Sequence, residues 1–291
     1  MEENLIQSYL NYFLIKVQEH SLENERIKKY KKYFNEIIVI KCGGSVLLDK
    51  NLFNQFIEDV SIVNKLGLSS IVIHGGGKNI KKKLDKQNIE SKFIDGLRVT
   101  DEKTIKIVEE TLLELNFEIL NNLNNYQTNA QSVTPKDCNI IKIIPEKKEL
   151  GFVGSPNEIN KNKLLEIIKE KKVPIMVPMG IGEDGKVYNI NADVAAGAVA
   201  KELSSRRLLL MTDVEGVLDK NKKLITEINS EVAKKMLSEG TILGGMIPKI
   251  NTCLDAVENG VTGVVIVDGR KPHSILFELF SDKGAGTLIR K

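Results

Sequence analysis

Two strand–glycine units near the start of the chain constrain its fold more than any other feature. Each begins with a short apolar run rich in β-branched residues, at 37–40 and 71–73, and continues within a few residues into consecutive glycines. Such runs predict buried strands, and the glycines predict tight turns that lead into helices. Backbone N–H groups at these turns and the N-terminus of the next helix can bind an anion. Two such turns, the second followed by Lys78, predict a site that holds more than one anionic group.

Strand-like and helix-like segments alternate as far as residue 178, and this alternation predicts an α/β fold. With 291 residues, the chain is long enough to bury a large core. We therefore expect a three-layer αβα sandwich with a mainly parallel central sheet, preceded by an extra N-terminal helix. The predicted strands lie near 37–41, 70–74, 140–144 and 174–178, and the predicted helices near 50–66, 77–88, 101–124 and 160–171.

Three divisions of the chain are predicted. Residues 1–32 carry apolar side chains at helical spacing, so this helix is expected to pack on its own domain or against another subunit. Residues 33–185 and 186–291 are expected to form two lobes. A strand–turn–strand segment with an Asp-Gly turn at 184–185 lies at their boundary.

Composition and charge argue against several classes of protein. The net charge is only +3, with 42 basic and 39 acidic residues, which disfavours a dedicated nucleic-acid binder. Three dispersed cysteines lack the spacing of a metal site and are typical of a reducing compartment. The sequence shows neither a transmembrane-length apolar run nor a basic leader, so a cytoplasmic protein without a membrane or metal site is expected.

A glycine pattern at 180–185 matches G-x-G-x-x-G but does not predict a dinucleotide site. Strand-like residues follow the third glycine, whereas a dinucleotide-binding turn must lead into a helix. This spacing therefore disfavours a nicotinamide-dependent oxidoreductase.

Three charged residues lie at element boundaries where phosphoryl transfer could use them. Lys41 ends the first strand, Lys249 lies at a predicted helix start, and Asp193 precedes an alanine-rich helix. Phosphoryl transfer depends on positioning and on cations that neutralise charge. A carboxylate between two lysines could hold both ammonium groups in place. The simpler alternatives are an edge lysine, a surface lysine, and a helix N-cap formed by Asp193 or by Asn191.

Two further polar residues suggest recognition of a carboxylate. Arginine is scarce in this lysine-rich chain, and Arg98 lies in a Gly-Leu-Arg-Val-Thr segment. A guanidinium binds a carboxylate through two parallel hydrogen bonds, although a structural ion pair is an equal alternative. Asn189 lies close enough to Asp193 in sequence to contact the same substrate.

Seven short motifs follow one another along residues 37–289. They are Lys-x-Gly-Gly at 41–44, His-Gly-Gly-Gly at 74–77, Gly-Leu-Arg-Val-Thr at 96–100, Gly-Phe-Val-Gly at 151–154, Tyr-Asn-Ile-Asn-Ala-Asp at 188–193, Thr-Asp-Val-x-Gly-Val-Leu at 212–218 and Gly-Gly-Met-Ile-Pro-Lys at 244–249. Taken together and in this order, they resemble the amino acid kinase family. The third and fifth motifs point to its branch that phosphorylates N-acetyl-L-glutamate.

The resemblance implies a role for each motif residue. Lys41 and Lys249 would stabilise the transferring phosphoryl group, and Asp193 would orient both lysines. The implied substrates are N-acetyl-L-glutamate and ATP, with Mg²⁺ held by the nucleotide phosphates. The implied acceptor-binding residues are Gly76, Gly77, Arg98 and Asn189. The implied nucleotide-binding residues are Gly43, Gly44, Thr212, Asp213, Val214, Gly216, Gly244, Gly245 and Met246.

The two ends of the chain resemble the arginine-inhibited members of the family. Those members have an N-terminal helix that interlaces three dimers into a hexamer, and a C-terminal segment similar to residues 273–287. Glu278 and Gly284 match its arginine-site positions, whereas Val265 stands where those members usually have histidine. A regulatory protein of the PII type is a further implied partner. The remaining alternatives are a kinase for another acidic amino acid and a non-catalytic arginine sensor.

Overall fold

The computed structural model describes residues 8, 11, 12, 28, 30–281 and 283–291. Strands and helices alternate along most of this part of the chain. The strands are β1 (Ile37–Cys42), β2 (Ser69–His74), β3 (Phe93–Ile94), β4 (Leu97–Arg98), β5 (Ala130–Val133), β6 (Ile141–Pro145), β7 (Gly154–Ile159), β8 (Val173–Met176), β9 (Met179–Ile181), β10 (Val187–Asn189), β11 (Arg207–Thr212), β12 (Val217–Leu218), β13 (Leu224–Ile225), β14 (Glu227–Asn229), β15 (Val264–Asp268) and β16 (Gly286–Arg290). The α-helices are α1 (Lys50–Lys65), α2 (Gly77–Lys86), α3 (Glu102–Asn125), α4 (Pro135–Cys138), α5 (Lys161–Lys169), α6 (Ala192–Glu202), α7 (Ser230–Ser238), α8 (Met246–Glu258) and α9 (Ser274–Phe280).

The largest sheet within the described residues has eight strands in the order β14-β16-β15-β11-β1-β2-β8-β5. The strands from β15 to β5 are all parallel. β16 is antiparallel to β15 and β14 is parallel to β16, so the direction reverses at this edge. Parallel neighbours need crossover connections, which place helices on the sheet faces. The predicted three-layer α/β sandwich with a mainly parallel sheet is confirmed.

Alternate side chains of the central strand β1 pack into two different hydrophobic clusters, one on each face of the sheet. Ile38 and Ile40 belong to a cluster that includes Phe56 of α1. Val39 belongs to the other cluster, which includes Ile250 of α8. Burial of such a side chain contributes about 1.5–3 kcal/mol, so β1 is held from both sides. The residues that follow β1 are therefore attached to a rigid part of the molecule.

The first two strands end side by side, and this brings the two glycine turns together. Lys41 is paired with Ile73 and Cys42 with His74 in the parallel register of β1 and β2. The N–H group of Gly75 donates to the carbonyl oxygen of Cys42 at 2.8 Å. Sites in open α/β sheets lie outside the carboxyl ends of the strands. The register therefore directs attention to this edge of the sheet.

One predicted strand belongs to a different sheet. β6 lies in a four-stranded sheet of order β10-β9-β6-β7 in the described part of the chain. Its residues alternate, with Ile141 and Ile143 buried and Lys142 exposed. That pattern is typical of a strand with one face in solvent, whereas strands of the central sheet are covered on both faces. The main sheet ends instead in β5, for which no strand was predicted.

The segment around the predicted lobe boundary forms a hairpin. β9 and β10 pair in antiparallel fashion, and Gly185 occupies the turn with φ = +72°. Because this region is a hairpin, the glycine pattern at 180–185 does not lead into a helix. The predicted strand–turn–strand is confirmed at this position, whereas a dinucleotide-binding turn would lead into a helix.

The helix predicted over residues 2–32 lies largely outside the described residues. Residues 30–33 are helical, and the side chains of Tyr30 and Tyr33 are buried in the α1-facing cluster. In the described part of the chain, no helix is long and apolar enough to cross a membrane. Nor do the described His, Cys, Asp and Glu side chains form a group of three or more that could hold a metal ion.

Candidate active site

Asp193 lies between two lysines that are far from each other in sequence. Its Oδ1 atom is 2.9 Å from Nζ of Lys41, and its Oδ2 atom accepts a hydrogen bond from Nζ of Lys249 at 2.5 Å. The three side chains are only 11–16% exposed. Lys41 lies near the C-terminal end of β1, Asp193 in the first turn of α6, and Lys249 in the first turn of α8. The fold thus collects the three residues that the sequence singled out for phosphoryl transfer.

Asp193 is free for this ion pairing because another residue caps α6. Oδ1 of Asn191 accepts hydrogen bonds from the N–H groups of Asp193 and Val194, at 2.9 and 3.4 Å. Burial alone would raise the pKa of Asp193, but the ammonium groups of Lys41 and Lys249 outweigh it and lower the pKa well below its usual value. Asp193 is therefore a carboxylate throughout the physiological range.

A cavity of about 230 Å³ lies beside the ion-paired cluster. Its polar lining includes Lys41, Asp193, Arg98 and Asn189. Asn189 ends β10, where its N–H donates to the carbonyl oxygen of Phe152 at 3.0 Å. The cavity is thus bordered by cations and an amide, a combination suited to a ligand with carboxylates.

Three contacts fix the guanidinium of Arg98. It donates to Oγ of Ser91 at 2.5 Å and to the carbonyl oxygen of Gly77 at 3.1 Å. Its Cζ atom lies 4.7 Å from the ring centroid of Phe93, within the range of a cation–π interaction. The residue as a whole is only 8% exposed, and its burial lowers the pKa of Arg98, opposed by the carboxylate of Asp85. A guanidinium held in this way is preorganised for a carboxylate.

The second glycine turn opens the N-terminus of α2 toward the cavity. Gly76 and Gly77 line the cavity, and no side chain caps the helix there. A Cβ atom on Gly76 would lie 2.7 Å from Cδ2 of Leu112, so a larger residue would force either the Leu112 side chain or the turn to shift. The first N–H groups of a helix lack intrahelical partners and favour an anion. This end of α2 can therefore bind a charged oxygen.

His74 supports this turn as a neutral residue. Its Nδ1 atom lies 3.0 Å from the carbonyl oxygen of Gly75, which can only accept, so Nδ1 carries the proton. Nε2 then accepts from the amide of Asn116 at 3.3 Å. Complete burial lowers the pKa of His74 to about 4, opposed by its bond to Gly75. The imidazole is therefore occupied on both sides and uncharged at neutral pH.

A second cavity, of about 370 Å³, adjoins the first and shares Arg98 with it. Gly43, Gly44, Thr212 and Asp213 line it, and Lys41 lines both cavities. A Cβ atom on Gly43 would lie 2.7 Å from the carbonyl oxygen of Met211, so the turn approaches β11 as closely as only glycine allows. The two cavities therefore meet at the end of β1.

The remaining predicted nucleotide residues do not line either of these two cavities. Gly216 has φ = +146° and packs against Thr287, whose Oγ1 accepts from the N–H of Val217 at 2.8 Å. Val214 is 39% exposed on the loop after β11. Gly244 and Gly245 directly precede α8, the helix that carries Lys249, and Met246 is its first residue. Lys249 does not line the first cavity. It contacts Asp193, which does.

The two predicted arginine-site residues share a third cavity, of about 250 Å³, near the C-terminus. Oε2 of Glu278 accepts from the N–H of Ala285 at 2.7 Å, which joins α9 to β16. Gly284 has φ = +68°, a conformation that favours glycine. Arg207 and Tyr33 also line this cavity.

Some site residues were not assigned from the sequence. Ser91 and Phe93 hold Arg98 but belong to no motif, and their role depends on the β3–β4 hairpin that places them beside it. Ser45 accepts a hydrogen bond from Lys78, although the two residues are 33 positions apart in sequence. The sequence alone gave Lys78 no role beyond following the second glycine turn, and gave Ser45 none. Tertiary contacts of this kind leave no local pattern.

Comparison with known proteins identifies the family of this chain. The model of the amino acid kinase family matches residues 36–268. The acetylglutamate kinase of Pelagibacter ubique is 57% identical over 92% of this chain and 93% of its own length, and that of Methylobacterium nodulans is 43% identical over 90% of each. The N-acetylglutamate synthase structure from Neisseria gonorrhoeae has a TM-score of 0.84 at 21% identity; the match covers 92% of this chain and 62% of that one and shows the fold alone. The chain therefore belongs to the amino acid kinase family and, within it, to the acetylglutamate kinases.

Proposed function

We propose that this chain transfers the γ-phosphoryl group of ATP to the γ-carboxylate of N-acetyl-L-glutamate, an early step of arginine biosynthesis. The products would be ADP and N-acetyl-L-glutamyl 5-phosphate. The observation that carries the proposal is the position of Asp193, between Lys41 and Lys249 and at the edge of a cavity that Arg98 also lines. Two cations held by one buried carboxylate supply the charge neutralisation that phosphoryl transfer needs.

The first cavity is proposed to hold the acceptor. Arg98 and Asn189 would bind its α-carboxylate, since a fixed guanidinium suits two carboxylate oxygens. The N–H groups of Gly76 and Gly77, at the open end of α2, would bind the γ-carboxylate and the transferred group. Both ends of one dicarboxylate would then be held within a cavity of about 230 Å³.

The second cavity is proposed to hold the phosphates of ATP. Gly43 and Gly44 would donate backbone hydrogen bonds to them, with Thr212 and Asp213 on the facing loop. Val214, Gly216, Gly244, Gly245 and Met246 are proposed to border the rest of the nucleotide. Mg²⁺, held by the nucleotide phosphates, would offset their charge.

The reaction needs no general base. The γ-carboxylate of the acceptor is already ionised at neutral pH and can attack the γ-phosphorus in line. Lys41 lines both cavities and would contact the phosphoryl group during transfer. Asp193 would keep both ammonium groups in place while negative charge is redistributed toward the leaving ADP.

A coupled assay of ADP release with a panel of acceptors tests the proposal. N-acetyl-L-glutamate should give the highest kcat/KM, well above glutamate, aspartate, N-acetylaspartate and an aminoadipate derivative. A higher value for another acceptor would replace the substrate, and arginine binding without any ADP release would support a non-catalytic sensor.

Arginine is proposed as a feedback inhibitor that binds the third cavity. The carboxylate of Glu278 suits a guanidinium, and Arg207 provides a cation for an α-carboxylate in the same cavity. Val265 is buried in the core of β15, so an imidazole is not available at this position. Glu278→Gln should raise the arginine concentration for half-inhibition at least about tenfold, because a charge-assisted hydrogen bond is lost. Equal inhibition of both proteins would contradict this site.

The proposed assembly is a hexamer built as a trimer of dimers through residues 1–32. Residues 33–185 would form the acceptor lobe and residues 186–291 the nucleotide lobe. A PII-type protein is proposed to regulate the enzyme from outside the active site. The three cysteines of the chain form no disulfide, which supports a proposed location in the reducing cytoplasm. Light scattering of the full chain and of a variant lacking residues 1–32, each with and without arginine, tests the assembly. A dimer for the full chain would contradict it.

A further inference from the structure

A lysine that the proposed chemistry leaves unused lies in the lining of the second cavity. Nζ of Lys78 donates to Oγ of Ser45 at 2.8 Å and lies 3.4 Å from Oδ2 of Asp213. Oγ of Ser45 also donates to Oδ2 of Asp213, at 3.2 Å. These three side chains, named here the Lys78 bridge, connect the first glycine turn, the start of α2 and the loop after β11.

Lys78 and Lys41 lie on either side of the first glycine turn. A Cβ atom on Gly43 would lie 3.8 Å from Nζ of Lys41, and one on Gly44 would lie 3.7 Å from Cγ of Lys78. Both lysines line the second cavity. The backbone proposed to bind phosphates is thus flanked by two cations.

The two lysines are held very differently. Lys41 is buried against Asp193, whereas the side chains of Lys78 and Asp213 are each 52% exposed and 3.4 Å apart. An exposed ion pair of this length is weak, and a hydrogen bond from an ammonium to a phosphate is stronger. The long, flexible lysine side chain can therefore leave Asp213 when a phosphate enters the cavity.

We propose that Lys78 is a phosphate-binding residue whose ammonium group exchanges Asp213 for the terminal phosphates of the bound nucleotide. In the absence of a nucleotide, Asp213 and Ser45 keep this ammonium group at the cavity. The inference rests on the proposed function only in taking ATP as the phosphate donor. Asp213 would then compete with the nucleotide phosphates for the ammonium group of Lys78.

Calorimetric titration without an acceptor tests this inference, with inorganic tripolyphosphate and MgATP as separate probes. Lys78→Met should weaken the binding of both about tenfold, and Lys78→Arg should restore most of the affinity. Lys82→Met is the matched control, because Lys82 is an exposed lysine of α2 that does not line the cavity. Its affinities should equal those of the wild type.

Asp213→Asn separates exchange from a purely structural bridge. Removing the competing carboxylate should tighten tripolyphosphate binding about two- to fivefold, and only while Lys78 is present. Equal affinities of wild type and Lys78→Met, weaker binding by Asp213→Asn, or no tripolyphosphate binding by the wild type would overturn the inference. Failure of the proposed function would instead appear as absent acceptor-dependent ADP release with this binding pattern intact.

Discussion

Asparagine at position 193 should leave two buried ammonium groups facing each other without their shared carboxylate. The side chain keeps its shape, so the change removes charge without opening a cavity. At an effective dielectric constant of about 20, one ion pair at the observed 2.9 Å is worth about 6 kcal/mol before desolvation is subtracted. Removing one partner of a buried pair costs a net of about 3–5 kcal/mol. We expect Asp193→Asn to lower the free energy of unfolding by this amount and kcat by about 10²–10³.

The dependence of this loss on pH follows from the direction of the pKa shift. Burial would raise the pKa of Asp193, but Lys41 and Lys249 lower it in the folded state. In the unfolded chain the carboxyl titrates near its ordinary value, about 3.9. Its stabilising contribution is therefore complete above about pH 5, and it is lost as the pH falls toward the folded-state pKa. The difference between wild type and variant should be constant from about pH 5 to 8 and should shrink below about pH 4.

Urea unfolding followed by circular dichroism, repeated from below about pH 4 up to about pH 8, measures the loss in free energy of unfolding and its dependence on pH. The matched control is Asp255→Asn, because Asp255 also lies 2.5 Å from a lysine, Lys201, but these side chains are 53% and 30% exposed. The control should lose less than about 1 kcal/mol. If Asp193→Asn lost no more stability than the control, or if its deficit grew on acidification, the electrostatic argument would be wrong.

Three other predictions concern Arg98, Gly43 and His74. Arg98→Lys keeps the charge but removes the planar pair of donors, so the KM for N-acetyl-L-glutamate should rise about tenfold or more with a smaller change in kcat; steady-state kinetics with an unchanged KM would contradict this. Gly43→Ala would place a Cβ atom 2.7 Å from the carbonyl oxygen of Met211, so we expect it to lower the free energy of unfolding by about 1–3 kcal/mol, measured by thermal unfolding. Gly245→Ala is the control, because a Cβ atom there would meet nothing within 4 Å. The ring of His74 should titrate in NMR with a midpoint of about 4. Because this folded pKa lies below the unfolded value, acidification below about pH 6.5 should destabilise the protein through this residue. A midpoint of about 6.5 would refute its buried, neutral role.

The sequence predicted those parts of the fold that have a strong local pattern. β1 and β2 contain the apolar runs 37–40 and 71–73, which predict buried strands. β5 escaped prediction because residues 130–133 read Ala-Gln-Ser-Val, which has little apolar signal, and it is ordered by its parallel pairing with β8. β6 was predicted as a strand, but its sheet depends on which partner covers its apolar face.

The candidate site was predictable where short motifs carry it, but the division of labour among neighbours was not. Asn191 and Asp193 were equal candidates for the N-cap of α6, and only the three-dimensional positions of the lysines separate them. The Lys78 bridge joins residues 33 and 135 positions apart. Contacts at such separations depend on the strand order of the sheet, which local periodicity does not determine.

The central proposal is that a side-chain carboxylate of N-acetyl-L-glutamate accepts the phosphoryl group. Its product is an acyl phosphate, which hydroxylamine converts to a stable hydroxamate. The most direct measurement is therefore the amount of hydroxamate formed against the ADP released, with N-acetyl-L-glutamate as the acceptor. We expect equal amounts of the two products and none without the acceptor. ADP release without hydroxamate, or no acceptor-dependent release at all, would contradict the proposed reaction.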